Sequence, residues 1–131
     1  MHKTLEALIA KVKEIKIEPD CVIYTKDNTI FLKFPNSRQF RLVKFNESRI
    51  DVPYLKFNPD SMWMEYEHNR YGDEDTLVGF TYNDMEPDSE GFKVYSEALV
   101  EAVSNIIKQA TACEKAHQAF WDTYNNIMKE N

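Results

Sequence analysis

The sequence has few of the residues that mark low-complexity, secreted or membrane-spanning chains. It holds 3 glycines and 5 prolines in 131 residues and no internal repeat, so a disordered or repetitive chain is not expected. No apolar run approaches the roughly 18 residues that a membrane-spanning helix needs. The two cysteines, Cys21 and Cys113, lie far apart without CxxC spacing, which predicts buried free thiols in a cytoplasmic protein.

Hydrophobic residues make up 43% of the chain, enough for a folded core, and the length suits one domain spanning residues 1–131. The first segment is predicted to be an amphipathic helix, because Leu5, Leu8, Ile9 and Val12 recur at spacings of three and four. Glu18-Pro19-Asp20 is expected to end this helix, since proline cannot continue it.

The period then changes to that of β-strands. A hairpin is expected around Lys26-Asp27-Asn28, and further strands should follow in antiparallel order. The predicted α+β fold has an N-terminal helix, one curled, mainly antiparallel sheet of five or six strands, and C-terminal helical structure. The expected extended segments are 21–25, 29–34, 40–45, 49–57, 62–68 and 76–82.

Residues 92–131 contain no glycine or proline, and apolar side chains recur in heptad spacing from Leu99 to Ile127. An unbroken helix here would reach roughly 50 Å, longer than a domain of this size is wide. Two alternatives follow: a break near 109–112 that gives a helix pair folded onto the sheet, or one helix whose end projects. The breadth of the apolar stripe favours the pair, whereas a projecting end predicts a homodimer through residues 99–127.

Charge is distributed unevenly along the chain. Residues 1–59 carry eleven Lys/Arg against seven Asp/Glu, and residues 102–131 carry three of each. Residues 60–101 carry twelve acidic residues against two basic ones, a net charge of −10 in a chain whose total is −6. This middle segment is expected to repel nucleic acid and to attract a partner rich in Lys and Arg.

The acidic segment therefore supplies the predicted partner-binding residues, with two aromatic anchors among them. They are Trp63, Glu65, Glu67, Tyr71, Asp73, Glu74, Asp75, Asp84, Glu86, Asp88 and Glu90. The preferred hypothesis is a non-enzymatic cytosolic binding module for a basic protein. One example is an inhibitor of a nucleic-acid-handling protein, of the DNA-mimicking kind that phages and mobile elements carry. Direct nucleic acid binding is not favoured, because the basic residues of the first 59 positions are too few.

Two other function classes remain open. A small acidic chaperone or adaptor, dimeric through its last helix, fits the heptad pattern. A metal-dependent hydrolase would use His68 with nearby carboxylates, although the net negative charge there opposes phosphate substrates. Residues 86–97 also match the spacing of a calcium-binding EF-hand loop, with glycine at position six and glutamate at position twelve. The sequence points to no cofactor and no catalytic residue set.

Overall fold

A computed structural model of the chain describes residues 3–36, 38–45, 50–53, 55–66, 76–77 and 86–130. The predicted α+β class is confirmed: one helix opens the chain, short antiparallel strands follow, and a long helix closes it. The elements are α1 Lys3–Lys13, β1 Val22–Lys26, β2 Thr29–Lys33, β3 Gln39–Phe45, β4 Ile50–Asp51, β5 Leu55–Asn58, β6 Trp63–Tyr66, β7 Thr76–Leu77 and α2 Glu90–Glu130.

Helix α1 buries the predicted stripe, since Leu5, Leu8, Ile9 and Val12 all belong to the core. The helix ends at Lys13, before the expected stop at Pro19. The backbone N–H of Ile15 donates to the carbonyl of Val12 at 3.1 Å, a tighter turn than that of an α-helix.

The main sheet has the strand order β1-β2-β3-β4-β7, and each of these neighbouring pairs is antiparallel. The predicted hairpin between β1 and β2 is confirmed, with Lys26 paired to Thr29 across a two-residue turn. Asp27 and Asn28 in that turn have φ angles of 51° and 59°. Two successive left-handed residues match a type I′ turn, whose twist suits an antiparallel hairpin, and Asn and Asp tolerate this region.

The main sheet has five strands, as predicted, and β5 and β6 form a second, two-stranded sheet that the sequence did not predict. Pro53 lies between β4 and β5, and its missing N–H cannot extend the β4 ladder. The hairpin instead packs against α2, where the backbone N–H of Phe57 donates to Gln109 Oε1 at 2.9 Å. Most of the strand expected over 76–82 lies outside the described residues.

Helix α2 is one continuous helix of 41 residues, so the alternative of a helix pair broken near 109–112 is wrong. At 1.5 Å per residue it is roughly 60 Å long. Its apolar stripe packs into the core through Leu99, Val103, Ile106 and Ala110, all of which are buried. None of the described helices is both long and apolar enough to cross a membrane.

Candidate protein-binding site

The body of the protein ends near His117 of α2, and the helix continues beyond it. Cys113 is buried and His117 is half-buried, whereas every residue from 118 to 129 is exposed. Among the described residues, the β5–β6 hairpin contacts the helix at this position. His117 Nε2 lies within hydrogen-bond distance of the Met62 carbonyl, and the Trp63 ring meets the imidazole edge-on at 6.0 Å.

A network of polar side chains holds α2 at the place where it leaves the body of the protein. Glu114 pairs with Arg38 at 3.0 Å and accepts a hydrogen bond of 2.8 Å from the side-chain amide of Asn36. Arg38 also bonds His117 Nδ1. Because the Met62 carbonyl can only accept and Arg38 can only donate, these contacts fit the imidazole tautomer that carries its hydrogen on Nε2. The β2–β3 turn and the β5–β6 hairpin are thereby both tied to one turn of α2.

An open cleft of about 480 Å³ lies beside this network. Its walls are mainly aromatic, with one cationic side chain, and consist of Arg38, Met62, Trp63, His117, Phe120 and Trp121. The Trp63 side chain is 63% exposed at the edge of the cleft. Aromatic walls with a few hydrogen-bonding groups are typical of sites that receive an apolar side chain from a partner.

The projecting end of α2, residues 118–129, continues the apolar stripe of the helix, but here the stripe is exposed. Five large apolar side chains there are 46–56% exposed: Phe120, Trp121, Tyr124, Ile127 and Met128. At 100° per residue they fall within an arc of about 120° on the helix surface. Trp121 meets Phe120 and Tyr124 edge-to-face, with ring centroids 5.6 and 5.5 Å apart. The opposite side of the helix carries polar residues such as Asp122, Asn126 and Lys129, so this segment is amphipathic with its apolar face uncovered.

The five described members of the predicted acidic site lie on two elements, the β5–β6 hairpin and the start of α2. Glu65 lies on the β5–β6 hairpin and accepts hydrogen bonds from Asn58 and Ser61, both at 3.1 Å. Glu86, Asp88 and Glu90 are exposed at the start of α2. The hairpin meets α2 from Gln109 onward, about 28 Å along the helix from Glu90 at 1.5 Å per residue. Six of the predicted residues lie outside the described residues: Glu67, Tyr71, Asp73, Glu74, Asp75 and Asp84.

Of the predicted site residues, Trp63 is the one that the structure places at the aromatic cleft. The sequence reasoning missed Arg38 and Glu114. A signal for Glu114 was present, because the second apolar ridge, Val100, Ile107, Trp121 and Met128, recurs every seven residues and is interrupted at position 114. A charged residue in an apolar ridge indicates a buried partner of opposite charge, but the sequence does not show that the partner is Arg38.

The calcium-loop pattern at 86–97 does not form a loop. The Ser89 hydroxyl accepts a hydrogen bond from the backbone N–H of Phe92 at 3.1 Å and caps the helix that begins at Glu90. Positions five to twelve of the pattern are therefore helical, whereas an EF-hand needs them to wrap around the ion. Within the described ranges there is no group of three or more His, Cys, Asp or Glu side chains arranged to hold a metal ion. His68, on which the hydrolase hypothesis depends, lies outside those ranges.

Both cysteines are free, and only Cys113 is buried; Cys21 is half-exposed, so the prediction of two buried thiols holds for one of them. Burial raises the pKa of the Cys113 thiol above its ordinary value; the charge of Glu114 adds to this rise, and Arg38 opposes it. Burial also raises the pKa of Cys21, with smaller contributions from the charges of Glu18, Asp20 and Glu114. Neither environment favours the reactive thiolate, so neither cysteine has the setting of a catalytic nucleophile.

No model of a protein family, no curated protein and no solved structure matches this chain. The aromatic cleft and the projecting helix end are the features of the described chain that indicate a function.

Proposed function

We propose that the protein is a non-enzymatic protein-binding module, an adaptor in the broad sense, whose contact surface is the projecting end of α2 with the adjoining aromatic cleft. The observation that carries the proposal is the uncovered apolar face of residues 118–129. Exposing such a face to water costs free energy, because its apolar area remains hydrated.

The size of the exposed face supports this proposal. An aromatic side chain presents about 150–250 Å², so five large side chains that are about half exposed leave on the order of 500 Å² uncovered. The largest apolar patch on a typical monomer is about 300–600 Å² and is often a binding site. This face is near the upper end of that range, and Trp63 adds to it from the hairpin.

The composition of the face supports it as well. Tyr and Trp are enriched among the residues that dominate binding energy, because they combine a large apolar area with few rotatable bonds. Trp63, Trp121 and Tyr124 all lie at the surface here. The cleft between the hairpin and α2 offers the concave part of such a site, and the helix end offers the convex part.

Affinity capture from nuclease-treated extract tests the proposal. We expect the immobilised wild-type chain to retain a protein from the extract, either another protein or further copies of this chain. The variant Phe120→Gln with Tyr124→Gln should retain much less. Ala119→Ser with Asn126→Ser is the matched control, because it alters exposed residues on the polar side of the same helical turns. Equal retention by all three forms would contradict a binding role for this face.

A second candidate surface is the acidic segment 60–101, which would bind a basic protein, for example one that handles nucleic acid. The exposure of Glu86, Asp88 and Glu90 ahead of and at the start of α2 supports it. Binding through this segment should weaken steeply with salt, because exposed charges are screened within about 8–10 Å at physiological ionic strength. Changing Glu86 and Glu90 to Gln and Asp88 to Asn should then release the partner, and salt-independent capture would rule this surface out.

A further inference from the structure

The partner at the aromatic face can be specified further if the proposed function holds. We infer that it is a second copy of this chain, and that residues 118–129 of two copies pair antiparallel about a two-fold axis at Tyr124. The sequence predicted a homodimer through residues 99–127, and this inference narrows its contact region to residues 118–129. Leu99, Val103, Ile106 and Cys113 are buried in their own core and cannot reach a partner.

The available area fits a dimer of this kind. Two faces of about 500 Å² each bring roughly 1,000 Å² of apolar surface together, and the two Trp63 side chains, each 63% exposed, raise the total further. Specific protein interfaces bury about 1,200–2,000 Å² in total. A self-complementary pairing of two helix ends with the adjoining clefts reaches the lower part of that range without a rearrangement of the body.

Charge does not oppose the pairing, although the chain as a whole carries −6. Residues 118–129 contain one acidic and one basic residue, Asp122 and Lys129, and are neutral overall. Three exposed acidic residues, Glu86, Asp88 and Glu90, lie just before or at the other end of α2, and Glu90 is about 50 Å along the helix from Tyr124 at 1.5 Å per residue. In an antiparallel pair the two acidic helix starts point away from each other.

The order of residues along the helix also suits a two-fold axis at Tyr124. In that register Phe120 lies opposite Met128 of the second copy, and Trp121 lies opposite Ile127 of the second copy. Phe120 and Trp121 thus each meet an aliphatic side chain, and Tyr124 meets its own copy at the axis. Met128 of the second copy then lies beside the cleft formed by Trp63, His117 and Phe120. Its thioether is suited to such an aromatic surface.

Sedimentation equilibrium of the purified chain from 1 to 100 µM tests the inference. We expect a dimer for the wild type and for the control Ala119→Ser with Asn126→Ser. Phe120→Gln with Tyr124→Gln should weaken dimerisation by about 100-fold or more, since it removes two central aromatic anchors. A cooperative urea-unfolding transition like that of the wild type would show that the body of the altered chain is folded.

A second measurement locates the axis. In a Cys21→Ser background, Tyr124→Cys should give a disulfide-linked dimer on mild oxidation, because helices in contact at 8–10 Å between axes bring facing Cα atoms within disulfide range. Asn126→Cys, on the polar side, should not. The same crosslinking at both positions would overturn the antiparallel arrangement.

Different results would refute the homodimer and the protein-binding module. A wild-type monomer at 100 µM would refute the homodimer, and capture of another protein that still depends on Phe120 and Tyr124 would leave the binding module intact. A monomer with no such capture would remove both. A dimer that survives the double substitution would place the interface elsewhere and would also refute the inference.

Discussion

Removing the carboxylate of Glu114 should loosen the point at which α2 leaves the body. In Glu114→Ala, Arg38 loses its partner at 3.0 Å and Asn36 loses an acceptor at 2.8 Å. The side chain of Glu114 is 11% exposed and that of Arg38 is 34% exposed, so water replaces the lost contacts only in part. The β2–β3 turn is then held to the helix less firmly.

The size of the effect follows from these exposures. A hydrogen bond to a charged group contributes about 1.5–3 kcal/mol when buried. Because Arg38 and Asn36 are partly exposed, we expect each of their two contacts with Glu114 to contribute about 1 kcal/mol. The expected loss of unfolding free energy is therefore about 2 kcal/mol. The entropy of unfolding is about 2.1 cal/mol/K per residue, so for 131 residues this loss lowers Tm by about 7 °C.

Lys115→Ala is the matched control, one residue further along the same helix. Lys115 pairs with Glu18 at 3.2 Å, but these side chains are 71% and 49% exposed. Exposed ion pairs contribute about 0–1 kcal/mol, which predicts a fall in Tm of no more than about 4 °C. Glutamate and lysine have similar helix propensities, so the change to alanine affects the backbone alike in both variants.

Urea and thermal unfolding, followed by circular dichroism, measure both variants. The background should be Phe120→Gln with Tyr124→Gln, so that self-association does not contribute to the unfolding free energy. A Glu114→Ala effect below about 0.5 kcal/mol, or one no larger than that of Lys115→Ala, would refute the role assigned to the network.

Three further predictions concern the body of the protein. Leu99→Ala should cost about 3 kcal/mol in urea unfolding, because Leu99 is wholly buried; Val94→Ala, at a position 62% exposed, should cost less than about 0.5 kcal/mol. Ser89→Ala should cost about 1 kcal/mol through the lost cap at the Phe92 N–H, and Ser89→Asp should retain most of it; equal losses in both would contradict capping. Because burial raises the pKa of the Cys113 thiol above its ordinary value of 9.0, the folded chain holds a proton that the unfolded chain releases. The resulting stability is complete below pH 9 and is lost as pH rises through the folded-state pKa. Urea titrations from pH 8 to 10.5 should therefore show a fall that is smaller in Cys113→Ala, and an unchanged slope would contradict this.

The fold class could be predicted from the sequence because its local signals agree with one another. The stripe of Leu5, Leu8, Ile9 and Val12 and the turn at Asp27-Asn28 each depend on neighbouring residues, and both are confirmed. The division into two sheets depends on which strands pair over a distance. Pro53 marks a place where pairing can stop, but it does not show where the β5–β6 hairpin packs.

The continuity of α2 decides between two alternatives that the sequence left open, a helix pair and one helix with a projecting end. The breadth of the apolar stripe favoured the pair, because a broad stripe is typical of a helix that is buried in its own domain. The structure buries it as far as Cys113 and leaves Phe120, Tyr124 and Ile127 uncovered. Hydrophobic periodicity gives the face of a helix but not what covers that face, so the same pattern fits a core helix and an interface helix.

The arrangement of the site was less predictable than the fold. Trp63 was predicted to bind a partner because it lies in the acidic segment, and the structure places it beside His117 in an aromatic cleft that the sequence did not predict. The contacts of Arg38 with Glu114 and His117 join residues nearly eighty positions apart. Contacts at that separation depend on tertiary packing, which composition and spacing do not determine.

The residue types of the projecting end are poor helix formers, which bears on the proposed contact surface. Isolated helices of about 12 residues are marginal in water even when rich in alanine. Residues 122–126 include Asp122, Thr123, Asn125 and Asn126, each of which is about 0.5–0.7 kcal/mol less favourable than alanine in a helix. The edge-to-face contacts of Trp121 offset part of this loss, at about 0.5–1.5 kcal/mol each. Under the proposed pairing, covering the apolar face would supply the remainder, so we expect the helicity of residues 118–129 to rise when a partner binds.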